Sequence, residues 1–428
     1  MTISLTQVIT NLQADIDAVD SDTSMDQILK YMHRARSLTE INSVYDSAGV
    51  MPTDSAYDGM LAFSKSDNTM YKFVDSSGDG GTIFAWHQAD SNVAASAGGS
   101  TTNLQGATSV YKAGGSLDLS PYGTNTIEKV PVASDGNMTD VGDLAGSGAI
   151  GYELGNSSST DGFASGGRSD APTYQIGGGI TQIDKFPFAT DTNATDVGDL
   201  QKSRGGAAVN NGPTHGYQSG GASGPAAVEG TISKFPYAIS SATGTSVGNL
   251  DPRYNPGSYG LQYGMGSSDT THGYIAVGNT SAIPYPTQDL IQRFPFASDD
   301  DATDVGDASI TGRYAGNNHN QSSTHGYIAG GLGSPADPGW KNDITKFPFA
   351  ASGANAADVG DLTLARYGMT GASSTTHAYA MAGNTKGGSY PSPTDINVVD
   401  KYSTASDANA TDVGDTSNAH HNAAGAQI

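Results

Sequence analysis

Thr324-His-Gly-Tyr-Ile-Ala-Gly-Gly331, Asp343-Ile-Thr-Lys-Phe-Pro-Phe349 and Ala357-Asp-Val-Gly-Asp-Leu362 follow one another in the chain, and each of the three recurs six times. The middle marker is found at Lys129-Val-Pro-Val132, Lys185-Phe-Pro-Phe188, Lys234-Phe-Pro-Tyr237, Arg293-Phe-Pro-Phe296 and Lys346-Phe-Pro-Phe349, with a worn copy at Lys401-Tyr-Ser-Thr404. The valines of the third marker stand at Val141, Val197, Val247, Val305, Val359 and Val413, so the unit spacing runs from 50 to 58 residues. A period of this size belongs to propeller blades more than to solenoids, whose repeats are usually shorter.

Each unit reads as four short strands separated by Gly, Ser, Asn and Asp turns. Strand a follows the Asp-Val-Gly-Asp-Leu run, as in Arg366 to Ala372. Strand b is the His-Gly-Tyr run, strand c the Lys-Phe-Pro-Phe run and strand d the Asp-Val-Gly-Asp run. Small residues in strand b suit crowding near an axis. The proline of strand c cannot donate to a ladder, so a bulge is expected there, or an N–H direction with no neighbour. The chain ends on an unpaired strand a, residues 417–428, which is expected to complete the blade whose other strands lie in 108–144 and so leave no open edge. The count is then six blades. Most length variation falls between b and c, as in Gly330 to Asp343.

Composition agrees with an all-β chain. Of 428 residues 57 are glycine, 36% are hydrophobic and only 15% charged, which favours short strands and many turns. A net charge of −23 repels phosphate backbones, so nucleic-acid binding and adsorption to anionic membranes are not expected. Cysteine is absent, which excludes disulfides and thiolate metal sites. No signal peptide and no apolar run of 18 residues is legible, and synthesis in a cytoplasm is expected.

The order of a glycine pair, an acidic-aromatic strand, an Asp-x-x-x-Leu segment and then an arginine (Arg204, Arg253, Arg313, Arg366) resembles the kelch repeat. The kelch tryptophan is missing, since Trp86 and Trp340 are out of phase with the units. The fuller wording over about residues 105–428 resembles virion structural proteins of marine tailed phages, cyanophages in particular. That resemblance implies a six-bladed kelch-like β-propeller on a phage tail or fibre-like appendage, with host-surface recognition as its role. A purely architectural part (tail, adaptor or capsid decoration) is the alternative, and a glycan depolymerase the second. No nucleophile–base pair, paired acid/base glutamates or phosphate loop supports catalysis, although fold alone does not decide activity.

The N-terminal part reads differently. Leu5, Ile9, Leu12, Ile16 and Val19 form a short heptad seam, and a second helix is expected from Ser24, with Gln27 completing a capping box. Residues 51–86 alternate apolar and polar and resemble a small β module of phage tail fibres. The expected plan is a helical attachment and oligomerisation segment (1–45), a β connector (46–90) and the propeller (91–428). It implies a homo-oligomer, by fibre habit a trimer, bound to other virion proteins through the N-terminal segment and to a host glycan or protein through the propeller.

Three groups of residues are candidates for chemistry. Tyr285, Trp340 and Tyr390 lie in variable b–c connections, where aromatic faces suit sugars or a neighbouring subunit equally. The acidic c–d loops offer Asp191, Asn193 and Asp196, and Asp299, Asp301 and Asp304, as oxygen ligands for Ca²⁺. No bidentate glutamate follows, and Asp and Asn also make turns by themselves, so turn chemistry is the favoured reading. His215, His272, His325 and His377 share one repeat position; a metal ring at the axis is conceivable, and packing against a neighbouring blade is favoured. The arginines are read in the same way, as blade-to-blade ties.

Overall fold

The computed structural model describes residues 105–428 apart from 118–122, 147–149, 152–153, 170–179, 225–226, 252–259, 280–287, 314–318, 334–338, 350–352, 354 and 387–392; before residue 105 it describes the five strands given below. The chain divides into two compact units, Met1–Ser100 and Thr101–Ile428. In the first, Val44–Tyr45, Leu61–Ser64, Thr69–Asp75, Phe84–Gln88 and Ala94–Ala95 form one sheet in chain order. The heptad residues Leu5, Ile9, Leu12, Ile16 and Val19, and the helix expected from Ser24, lie outside the described residues, as do Tyr285 and Tyr390. No helix occurs among the described residues.

The second unit is a six-bladed, all-β propeller. In blade 1 strands b, c and d are Ser109–Ala113, Thr126–Pro131 and Thr139–Asp143, and Ala424–Gln427 pairs antiparallel with Ser109–Ala113 in the place of strand a. Blade 2 runs a to d as Leu154–Ser157, Asp161–Ser165, Gln182–Pro187 and Thr195–Asp199. Blade 3 is Ala208–Asn211, His215–Ser219, Thr231–Pro236 and Thr245–Asn249, and blade 4 is Met265–Ser268, His272–Ala276, Gln288–Pro295 and Thr303–Arg313. In blade 5 residues 319–322 occupy the inner position beside His325–Gly333, followed by Trp340–Pro348 and Ala357–Asp361. Blade 6 is Thr370–Ser373, His377–Lys386, Pro393–Ser403 and Thr411–Asp415.

The core lies between blades. In blades 1 to 4 strand b presents an aromatic ring to the pair of rings on strand c of the next blade, and in blade 5 Tyr327 meets the single ring of Tyr402 at 5.8 Å. Tyr111 meets Phe186 and Phe188 at 5.8 and 4.9 Å, and Tyr274 meets Phe347 and Phe349 at 5.9 and 4.6 Å. Such tilted and offset contacts add to the burial of large apolar faces. Between blades 6 and 1 the packing is aliphatic, with Val130, Met138, Met381 and Val399 beside Tyr379. This is where the repeat wording is most worn.

Of the two expectations at the proline of strand c, the N–H direction with no neighbour is the one found, and a bulge lies elsewhere in the c–d ladder. In blade 2 Ile183 pairs with Gly198 and Asp184 with Asp196, so the extra residue is Val197 on strand d. The same shift recurs in all six blades. Each proline lies beyond the last c–d pair, where its missing N–H faces no ladder. The bulge glycine has a φ that L side chains avoid, 148° at Gly198 and 157° at Gly360. A Cβ on Gly360 would also sit 2.5 Å from the Ala408 carbonyl oxygen of the next blade. Glycine therefore lets the following c–d loop lie directly on strand d.

Candidate functional site

The axis of a propeller is a natural place for a site, and here it is occupied by the protein itself. One residue of each inner position forms a buried ring of hydrogen bonds. The Ser157 N–H donates to Asn211 Oδ1 (3.1 Å), Asn211 N–H to Ser268 Oγ (3.0 Å) and Ser268 N–H to Gln321 Oε1 (2.6 Å). Gln321 N–H donates to Ser373 Oγ (2.8 Å), Ser373 N–H to Gln427 Oε1 (2.8 Å) and Gln427 N–H back to Ser157 Oγ (3.0 Å). Serine and amide alternate because two long amides side by side would crowd the axis, whereas two serines would leave a gap. All six are fully buried.

His319 fills the space beside this collar. The equivalent residues of the other blades are Gly155, Val209, Gly266, Gly371 and Gly425. Its Nε2–H donates across the axis to the Gly155 carbonyl at 2.7 Å, leaving Nδ1 to accept from Asn211 Nδ2 at 3.5 Å. Burial drives its pKa down to about 4, against the Gly155 bond, which raises it. The ring is thus held neutral. At the a–b end of the axis, Gln105 Nε2 donates to the carbonyls of Gln321 (3.3 Å) and Ser374 (3.2 Å).

The acidic c–d loops are clips between blades. Asn193 Oδ1 accepts the Asp143 N–H of the preceding blade at 3.1 Å, and the Ala194 N–H donates to the Asp143 carbonyl at 2.8 Å. The side chain and the next peptide together imitate a β-bridge. Asn137, Asp301, Asn355 and Asn409 repeat it on Asp415, Asn249, Asp307 and Asp361. Between blades 2 and 3 true backbone pairing of Gly198–Asp199 with Ala242–Thr243 replaces the clip. Asp191 and Asp299 pair with Lys129 (2.5 Å) and Lys234 (2.6 Å) of the preceding blade. Asp196 and Asp304 accept from the N–H of their own bulge glycines, Gly198 (3.1 Å) and Gly306 (3.0 Å). The six candidate oxygen ligands therefore act in three separate roles. Among the described residues no group of three or more His, Asp or Glu converges on a point where a metal could bind.

His215, His272, His325 and His377 begin strand b, one strand out from the axis, so they do not ring it. Each Nδ1 lies 2.7–2.9 Å from the hydroxyl of the preceding threonine. Partial burial lowers the pKa of all four; at His215 the positive charge of Lys234 adds to that. Arg204 and Arg366 are buried ties, but they join strands b and c within one blade and do not join blade to blade as the sequence suggested. Arg204 Nη1 donates to the carbonyls of Gln218, Gly220 and Thr231, and Nη2 to Ser233 Oγ at 2.9 Å. Arg366 pairs with Asp400 at 3.1 Å, both fully buried.

With the axis filled, the two faces and the outer rim of strands d remain. The a–b turns and c–d loops end on the face of Gln105. The b–c and d–a connections end on the opposite face. There Trp340 opens strand c of blade 5, half-buried, with its ring 4.9 Å from that of Tyr367. It is the one aromatic of the three candidates within the described residues. The collar and the clips were missed in the sequence. Their signal was present in the Ser/amide alternation of strand a and in the Asn or Asp preceding each buried Ala or Met. No protein-family model matches the sequence, and no curated protein matches it.

Proposed function

We propose that the chain is a structural protein of a tailed-phage virion, part of a tail or fibre-like appendage, whose propeller recognises the host surface through its b–c face. The resemblance of the repeat wording supplies the phage. The observation that carries the choice of face is the filled axis: the collar and His319 occupy the channel, and the c–d loops are committed to neighbouring blades. The b–c connections are left to differ among blades without disturbing the scaffold. In this reading Tyr285, Trp340 and Tyr390 contact a glycan or protein, the seam of Leu5, Ile9, Leu12, Ile16 and Val19 joins copies and other virion parts, and no catalytic step is assigned. We propose further that Ala424–Gln427 is the clasp that closes the ring.

The test is adsorption of the fluorescent full-length protein to cultured marine cyanobacteria. A variant has segments 280–287, 334–338 and 387–392 replaced by Gly-Ser turns. Saturable adsorption by the parent and its loss in a variant of unchanged melting temperature is the expected result. Equal adsorption by both, or none by a folded parent, overturns the reading and favours an architectural role.

A further inference from the structure

Three blades carry a buried cation in the same slot between strands b and c. In blade 3 Arg204, four residues past Leu200, spans the carbonyls of Gln218 and Gly220 and ends on Ser233. In blade 6 Arg366, four residues past Leu362, reaches the Ala380 carbonyl (2.9 Å) and Asp400. In blade 1 the cation comes from strand b itself, where Lys112 pairs with Glu128 at 3.2 Å with both side chains fully buried. The position corresponding to Ser233, Asp400 and Glu128 is always the residue before the lysine of strand c.

Among its described residues blade 2 has the anion without the cation. That position is Asp184, only 2% exposed. Four residues past Leu144 stands Gly148, and the position of Lys112 is Ala164. A small cavity of about 10 Å³ remains, lined by Ala164, Ser165, Gly166, Gln182 and Asp184 among others. Ala164, Gly166 and Asp184 correspond to Gln218, Gly220 and Ser233, the partners of Arg204. Asp184 receives only neutral donors among the described residues, the Gln182 amide (2.5 Å), the Ala145 N–H (2.9 Å) and the Gly146 N–H. Burial, with Asp196 nearby, raises its pKa, whereas Lys112 and the Ser417 bonds hold Glu128 down against the same burial. The cavity also touches Ile180, at the end of the b–c connection, so it belongs to the face on which the b–c connections end.

We propose that the blade 2 slot is a receptor for a guanidinium group from outside the chain, which displaces the Gln182 amide and pairs with Asp184 as Arg366 pairs with Asp400. A guanidinium fits better than an ammonium because the slot offers in-plane acceptors, the carbonyls of strand b and a carboxylate, to a planar fork of donors. The inference does not depend on the phage reading.

The test measures melting of the full-length protein against capped arginine amide, with capped lysine amide as control and capped Gly-Arg-Gly as a second arm. Wild type is expected to gain about 2 °C at ten times Kd, saturably, with arginine and not with lysine. Asp184→Asn loses the response. Ala164→Lys, which supplies the cation in cis as Lys112 does beside Glu128, melts higher than wild type without ligand and no longer responds. Tighter binding of the tripeptide points to an arginine of a partner protein, and equal binding to a small guanidinium compound. No saturable shift in wild type, equal shifts with lysine, or an undiminished response in Ala164→Lys overturns the proposal.

Discussion

His319 puts a titratable ring on the axis where four of the other five blades have glycine. Its folded pKa of about 4 lies below the ordinary value of 6.5, so the unfolded chain takes up the proton first as pH falls. Stability from this group is fully present above pH 6.5 and is lost progressively down to pH 4. The loss is about 2 kcal/mol by pH 5 and about 3 kcal/mol by pH 4. His420, also fully buried with its pKa pushed down by burial and by Lys112, acts with the same sign. His319→Gln keeps a donor toward Gly155 and removes the proton site. Urea unfolding at pH 7.5 and pH 5 is expected to show a smaller difference for the variant than for the parent, by about 2 kcal/mol. An unchanged difference would remove His319 from the acid response.

At the scale of the element, the repeated words are mortar between blades. Asn409→Ala deletes one clip to Asp361 and is expected to cost about 1 kcal/mol. Gly360→Ala is expected to cost more, because it meets both a φ of 157° and the Ala408 carbonyl 2.5 Å away. Lys346→Met breaks only a half-exposed surface bridge to Asp407 and should cost less than about 1 kcal/mol. Denaturant midpoints for the three variants check that order. The four strands of each unit were legible in the sequence because each has its own marker and turn. The clips were not, because the Asn that caps Asp361 is 48 residues further on and by itself reads as a turn former. The proline was legible as a residue whose missing N–H faces no ladder, but the bulge nearby in the c–d ladder was not. The residue that bends the ladder is the valine before the glycine, which only the pairing reveals.

For the whole molecule, six units were countable from the spacing alone. The collar was not, because Ser157, Ser268 and Ser373, and Asn211, Gln321 and Gln427, look like ordinary turn composition until the inner positions face one another. Of the candidate ligand residues, those of the variable connections were chosen because these segments are free of repeat markers, whereas the sequence could not show that the acidic loops were already engaged. The collar and the strand pairing tie the last residues to three blades: Gln427 accepts from blade 6 and donates to blade 2, while its strand pairs with blade 1. Gln427→Ala leaves the buried Ser373 N–H without its acceptor and is expected to cost about 1–3 kcal/mol. The most direct test of closure is hydrogen exchange on a chain ending at Asn418. The account predicts that protection falls together in blades 1, 2 and 6 and that the single melting transition moves down as a whole. Protection lost only in Ser109–Asp143, with the other blades exchanging as in the full chain, would contradict it.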